Sequence, residues 1–204
     1  MNSALLKSEI VLENDRVLLV PFENDRHKEL KEIIFQDSIW TYMGMFIRTE
    51  QDFNNYIEST LKSKEEGISY PFIVIDKKNN RVAGSTRYGY LNSASAKCEI
   101  GWTWYGLEFQ ATGLNQACKY ELLNFGFETL GFRRIQFSAD EENIRSQKAI
   151  LKLGAKKEGV FRNNYVDSQG VRKDDVYFSI ISEEWNEIRQ EYFSEFQPNP
   201  TFHN

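Results

Sequence analysis

The residues best suited to chemistry lie in the run Gln110-Ala111-Thr112-Gly113-Leu114-Asn115. Directly after it, Leu114, Ala117, Cys118, Leu122 and Phe125 recur at helical spacing, and Leu123, Phe127 and Leu130 widen the apolar stripe. The run therefore predicts a tight turn opening a long, packed helix. The first N–H groups of such a helix have no intrahelical acceptor, Gly113 lets the backbone come close to a ligand, and the positive end of the helix dipole favours an anion. A pyrophosphate suits that set of donors. The turn is neither a Walker A loop, since no Gly-Lys-Ser/Thr follows, nor a G-x-G-x-x-G fingerprint. An ordinary helix start of the same composition is the alternative reading.

Other chemistries lack their parts. His27 and His203 are the only histidines, and no G-x-S-x-G occurs, so neither a Ser-His-Asp triad nor a multi-histidine metal site can be assembled, and no metal is expected. Carboxylates, hydroxyls and backbone donors must carry any catalysis. The formal net charge of −5 argues against a DNA-binding surface and is compatible with cationic substrates such as amines. No apolar run reaches the roughly 18 residues of a membrane span, and the N-terminus lacks the basic and apolar regions of a secretory leader. Cys98 and Cys118 read as small buried hydrophobes in a reducing compartment, so a cytoplasmic protein is expected. With 204 residues and 41% hydrophobic content the chain predicts one domain over 1–204, its core at about 16–185 and a C-terminal helix and tail over 186–204.

The elements that must position the turn follow from local pattern. Residues 16–22 (RVLLVPF) read as a first strand, and Asn24 or Asp25 can cap a helix running to about Gln36. The aromatic and methionine-rich run 38–45 is either a hydrophobic loop or a substrate wall. Thr49 can cap a helix over 51–66 that stops at Gly67. Strands 70–76 and 81–90 flank a hairpin turn at 77–80. In strand 98–105, alternation puts Cys98, Ile100, Trp102 and Trp104 on one face and Glu99, Gly101, Thr103 and Tyr105 on the other. After the long helix come a strand at 133–139, a helix over 143–153 ending at Gly154, strands 160–166 and 174–181, and a terminal helix over 183–196, with PNPTFHN expected to fray. This order predicts an α+β fold: a mostly antiparallel sheet with helices packed on it, one helix crossing between adjacent parallel strands.

The order and its motifs resemble the GNAT superfamily of acyl-coenzyme A dependent N-acetyltransferases, and within it the RimJ/RimL branch. The likeness rests on the opening strand 16–22 with Asp25 behind it, Gly84-Ser85-Thr86-Arg87, Glu99-Ile100-Gly101-Trp102-Thr103-Trp104, the 110–115 turn, Asn143 with Ser146, Leu153-Gly154-Ala155, Glu158-Gly159, Arg162, Asp174 and the strand at 176–179. It spans about 16–185. Val20 stands where the branch has a second arginine, and Asn115 where the loop usually ends in Gly or Ala. The resemblance implies a twisted and splayed sheet with helices on both faces. It also implies an acetyl-CoA dependent transfer of an acetyl group to a primary amine. The acceptor is a protein N-terminal α-amino group of the ribosomal-protein kind, or alternatively a polyamine or aminoglycoside; a coenzyme A binding module without turnover is the remaining alternative.

The same resemblance implies site residues. Glu99, eleven positions before Gln110, matches a general base on this strand, or is a surface or ion-paired carboxylate. Gly101, Trp102, Thr103, the 110–115 turn, Asn143 and Ser146 match the cofactor-binding positions. Gly101 either marks a bulge that exposes backbone N–H to a thioester or serves packing, and Asn143 either bonds the pantetheine arm, caps its helix, or does both. Many superfamily members carry a proton-donating tyrosine seven residues after Asn143, where this chain has Ile150. Ser146 can donate to the thiolate or to a water, and because a thiol of pKa near 8.5 leaves readily, only a modest effect is expected from it. Trp40, Tyr42, Arg87, Trp102 and Tyr165 are the candidates for an acceptor pocket, or else aromatic core.

Overall fold

The computed structural model describes residues 1–196; the fraying expected of PNPTFHN lies outside the described residues, as does His203. Eight strands form a single sheet: β1 (Leu12–Glu13), β2 (Val17–Pro21), β3 (Tyr70–Asp76), β4 (Arg81–Asn92), β5 (Lys97–Tyr105), β6 (Arg134–Asp140), β7 (Lys156–Val166) and β8 (Arg172–Ile181). Their spatial order is β1-β2-β3-β4-β5-β6-β8-β7, and every neighbouring pair is antiparallel except β5 with β6. Among the described residues five α-helices accompany it: α1 (Asp37–Trp40), α2 (Glu50–Glu65), α3 (Leu114–Asn124), α4 (Ile144–Leu151) and α5 (Trp185–Tyr192). The parallel pair is joined through α3, as the sequence order requires. Among the described residues no helix is long and apolar enough to cross a membrane.

The local causes are legible. Thr49 caps α2 in a reciprocal box, its hydroxyl accepting from the Asp52 N–H at 3.1 Å while the Asp52 carboxylate accepts from the Thr49 N–H at 2.9 Å. The helix then buries Phe53, Tyr56 and Thr60 against the sheet. The stretch after Asn24 is a 3-10 helix (Asp25–Glu32) rather than an α-helix, and Asn24 accepts from the Arg26 N–H. The apolar stripe of α3 continues into a π turn (Phe125–Thr129). Gly126 sits there because a Cβ would lie 2.7 Å from Ile135 Cδ1 on β6. Trp185 of α5 packs its ring on Tyr120 and Phe127, which closes that side of the sheet.

One expectation is overturned. On β4, Thr86 and Tyr88 reach α3, through Lys119 and the Leu122 carbonyl, whereas Arg87 between them reaches Thr60 of α2. Partners across an antiparallel pair share a face, so Ile100 (opposite Tyr88) lies on the α3 face and Glu99 and Gly101 (opposite Gly89 and Arg87) lie on the α2 face. Trp104, however, donates its indole N–H to Tyr56 of α2, and Thr103 accepts from Lys119 of α3. Simple alternation fails because the register slips between Ser85 and Arg87: β5 carries an extra residue there, with Trp102 at φ 49°. A bulge reverses the phase of every later side chain. Glu99, Gly101, Trp102 and Trp104 therefore share the α2 face.

Candidate active site

The turn before α3 has the donors its composition predicts. Among the described residues the N–H groups of Ala111, Thr112, Gly113, Leu114 and Asn115 have no protein acceptor, and pairing resumes with Gln116 and Ala117 donating to the Gly113 carbonyl. Ala111 at φ 58° and Gly113 at φ 85° alternate left-handed with ordinary conformations, which turns successive amides towards a common point. Thr112 Oγ1 donates to the Phe109 carbonyl at 2.8 Å, and Gln110 Nε2 donates to the Tyr105 carbonyl at 3.0 Å, fixing the turn from within. Two cations border it: Arg145 Nη1 donates to Gln110 Oε1 at 2.6 Å, and Arg16, ion-paired with Asp76, also donates to Thr112 Oγ1 at 3.3 Å. Such a concavity of amides flanked by guanidinium groups suits a polyanion.

Beside the turn the sheet opens. β5 and β6 pair only from Lys97 with Arg134 to Glu99 with Gln136, and beyond that point they diverge, so the edge of β5 from Gly101 to Tyr105 has no strand beside it on that side. The bulge, which interrupts the ladder with β4, falls in this same stretch of β5. Its residue is Trp102, not Gly101: Gly101 keeps regular pairing with Arg87, and a Cβ there would meet Glu99 Oε1 at 3.2 Å, so the glycine leaves room for that carboxyl group. The Trp102 ring lies over Gly89, edge-on to Tyr90 at 5.1 Å between centroids, with the Arg87 guanidinium 5.4 Å from its centre.

Glu99 sits where the two strands part. It is 4% exposed, and its two oxygens accept from Gln136 Nε2 and Ser138 Oγ, each at 2.9 Å. Burial disfavours its carboxylate more than those two bonds favour it, and the charge of Asp175 adds to the effect, so its pKa is raised above the ordinary 4.5. A carboxyl group raised in this way, where the two strands part, holds a proton more readily than an ordinary carboxylate, as a general base must.

The remaining sequence candidates separate into groups. Asn143 caps α4, its side chain accepting from the Ser146 N–H at 3.0 Å, which leaves its amide N–H2 for other use. Ser146 is half-buried one turn into that helix. Ile150, in the position where relatives carry tyrosine, is buried. Tyr165 offers no replacement acid, because its hydroxyl donates to Asp140 Oδ2 at 2.6 Å and burial with that carboxylate drives its pKa well up. Its ring instead lies beside Gly44, where an added Cβ would meet it at 3.6 Å, and so places the 38–45 run next to the β7–β8 hairpin. Trp40 belongs to the core: it is 1% exposed, donates to the Ile34 carbonyl, and packs on Tyr56 and Trp104. Tyr42 is exposed, and Arg87 is buried with its Nε lacking a partner.

The matching of known proteins decides the family. The Acetyltransferase (GNAT) domain matches residues 16–156 of this chain. The chain belongs to that family. Like other GNAT acetyltransferases it is an acyltransferase that uses acetyl-CoA as donor and an amine as acceptor. It is similar to the uncharacterized N-acetyltransferase YnaD of Bacillus subtilis (strain 168), at 25% identity over 84% of this chain and 96% of that protein. A second B. subtilis (strain 168) protein, provisionally named ribosomal N-acetyltransferase YdaF, is 32% identical over 47% of this chain and 51% of its own length. The fold is that of a GCN5-related N-acetyltransferase from Brucella melitensis, with a TM-score of 0.84 at 24% identity over 94% of this chain and 87% of that one.

Three charged residues at or behind the turn were given no role by sequence reasoning. Arg145 was not singled out, although it lies two places after Asn143 and so at the start of the same helix, and Arg16 entered only as the start of the first strand. Lys119 carried no signal at all. It lies in α3, 5% exposed, where its ammonium donates to Thr103 Oγ1 at 2.6 Å and Thr86 Oγ1 at 3.1 Å, and burial pushes its pKa down to about 8.

Proposed function

We propose that this GNAT enzyme acetylates the α-amino group of a protein or peptide chain, with Glu99 as general base. The observation that carries this reading is the buried Glu99 carboxyl group at the parting of β5 and β6, raised above its ordinary pKa and set on the face that also bears Trp102 and Tyr177. An α-amino group, with a pKa of roughly 8, already loses its proton in part near neutrality, so a carboxylate of raised pKa is an adequate base for it; a lysine-like amine near 10.4 is a harder partner. The provisional name of YdaF, ribosomal N-acetyltransferase, is in keeping with a ribosomal acceptor.

Acetyl-CoA supplies the activated acyl group. The free amides of 111–115, with Arg16 and Arg145, would hold its diphosphate; the edge of Gly101, Trp102 and Thr103, with Asn143, would hold its arm. Glu99 takes the proton of the incoming amine. Ser146 assists the departing sulfur only modestly, and no tyrosine is needed there. Tyr42, Arg87 and Tyr165 border the acceptor side.

An acceptor panel read by thiol release tests this. Peptides with free N-termini are expected to release thiol, and the same peptides with blocked N-termini are not. Release with polyamines alone would select the second reading, a small polyamine acceptor, which the neighbouring acidic groups Glu99, Asp140 and Asp175 favour.

A further inference from the structure

Lys119 is the buried charge that the account so far does not use. It projects from the middle of α3 into the layer between that helix and the sheet, at the level of the bulge. From β4 it meets the Thr86 hydroxyl, from β5 the Thr103 hydroxyl, and on its own helix Cys118, while no ion pair with a carboxylate is formed among the described residues. An ammonium has three donors, and two are engaged here. The hydroxyls do not need the lysine, since Thr86 and Thr103 lie 2.8 Å apart and satisfy one another. A buried cation without a counter-charge is a standing cost to the fold, and an apolar side chain of similar length would fill the same space without it. What the lysine does contribute is position. It ties α3, whose first turn forms the amide cradle, to Thr103, the residue after the bulge, and so links the two parts of the donor site through one side chain.

We propose that Lys119 is a positioning residue for acetyl transfer, holding the bulged edge of β5 in register with the start of α3 and keeping a positive charge directly behind that edge. The proposal rests on the reading that this edge and the cradle together receive acetyl-CoA. A protonated Lys119 keeps both hydroxyls oriented as acceptors towards it; a neutral one frees them to turn. The burial that lowers its pKa to about 8 places that change just above neutrality.

The test is a pair of variants, Lys119→Met and Lys119→Arg, each measured for thermal stability, for coenzyme A affinity by calorimetry, and for the pH dependence of kcat/KM. Lys119→Met is expected to melt at or above the wild-type temperature, to bind coenzyme A about 10-fold more weakly, the size of a typical coupling between two sites, as the bulged edge and the cradle lose their common register, and to lose rate further. Wild-type kcat/KM is expected to fall on the alkaline side with a midpoint near pH 8, and Lys119→Arg, which stays charged, is expected to remove that fall. A Lys119→Met protein that melts lower and binds coenzyme A as the wild type does would reduce the lysine to packing and overturn the proposal. So would an alkaline limb unchanged in Lys119→Arg, a readout that holds even where the methionine variant does not fold. Wild-type protein that binds no coenzyme A would instead remove the reading beneath the proposal, a separate outcome.

Discussion

Glu99, the proposed base, would couple the chemistry of the site to the stability of the fold. Burial raises its carboxyl pKa, so above 4.5 the folded protein holds a proton that the unfolded chain has already released. A group raised in this way contributes stability that is complete below its unfolded pKa and is lost as pH rises through the folded one. Glu99→Gln is therefore expected to melt higher than wild type at pH 7, with the difference closing below pH 4.5, because Gln136 and Ser138 can both bond an amide in the same place. The same substitution is expected to lower kcat/KM by about 100-fold or more, the usual contribution of a general base. Paired melting curves and initial rates check both, and a variant that melts higher yet keeps wild-type rates would remove Glu99 from the chemistry. Residues of this kind were unevenly legible. Glu99 stood out only through the family resemblance, which places a base eleven positions before Gln110, whereas nothing marks Lys119 until the two threonines that receive it are known from separate strands.

At the scale of elements, the turn and the bulge show how local rules were met and how one was broken. Gly113 takes φ 85°, and a Cβ there would meet nothing within 4 Å, so Gly113→Ala changes only backbone preference. That change is expected to destabilise the protein by about 1 kcal/mol and to weaken coenzyme A binding, since the amides on either side lose their shared direction. Denaturant titration and calorimetry check it, and unchanged affinity alongside the lost stability would separate the turn from the ligand. The strands after β1, the caps at Asn24, Thr49 and Asn143 and the stops at Gly67 and Gly154 were readable, because each follows from a residue type acting on its neighbours. The bulge was not. Glycine is the ordinary occupant of a left-handed position, and Gly101 invited that reading, but the extra residue is Trp102, whose ring packs over Gly89 beside Tyr90 and Arg87. Tertiary packing outweighed a backbone preference of about 1–2 kcal/mol. The strand β1 and the π turn at the end of α3 were likewise hidden, the first because two residues make no pattern and the second because its side-chain spacing still looks helical.

For the whole molecule, the order of elements together with the single parallel pair was enough to reach the fold, and the family match agrees. What alternation along β5 could not give is which side chains share a face, because one inserted residue moves Glu99 and Gly101 to the side of Trp102 and Trp104. That rearrangement brings Glu99, the proposed base, together with the Trp102 and Trp104 rings on the α2 face, while the free amides stand where β5 and β6 have parted. The account as a whole requires that the donor's diphosphate occupy the free amides ahead of α3. Its most direct test is a coenzyme A titration followed by amide-resolved NMR. The N–H signals of Ala111, Thr112, Gly113, Leu114 and Asn115 are expected to shift together and to become protected from hydrogen exchange as coenzyme A binds. Binding that leaves those five signals in place, with the shifts gathered elsewhere, would contradict it.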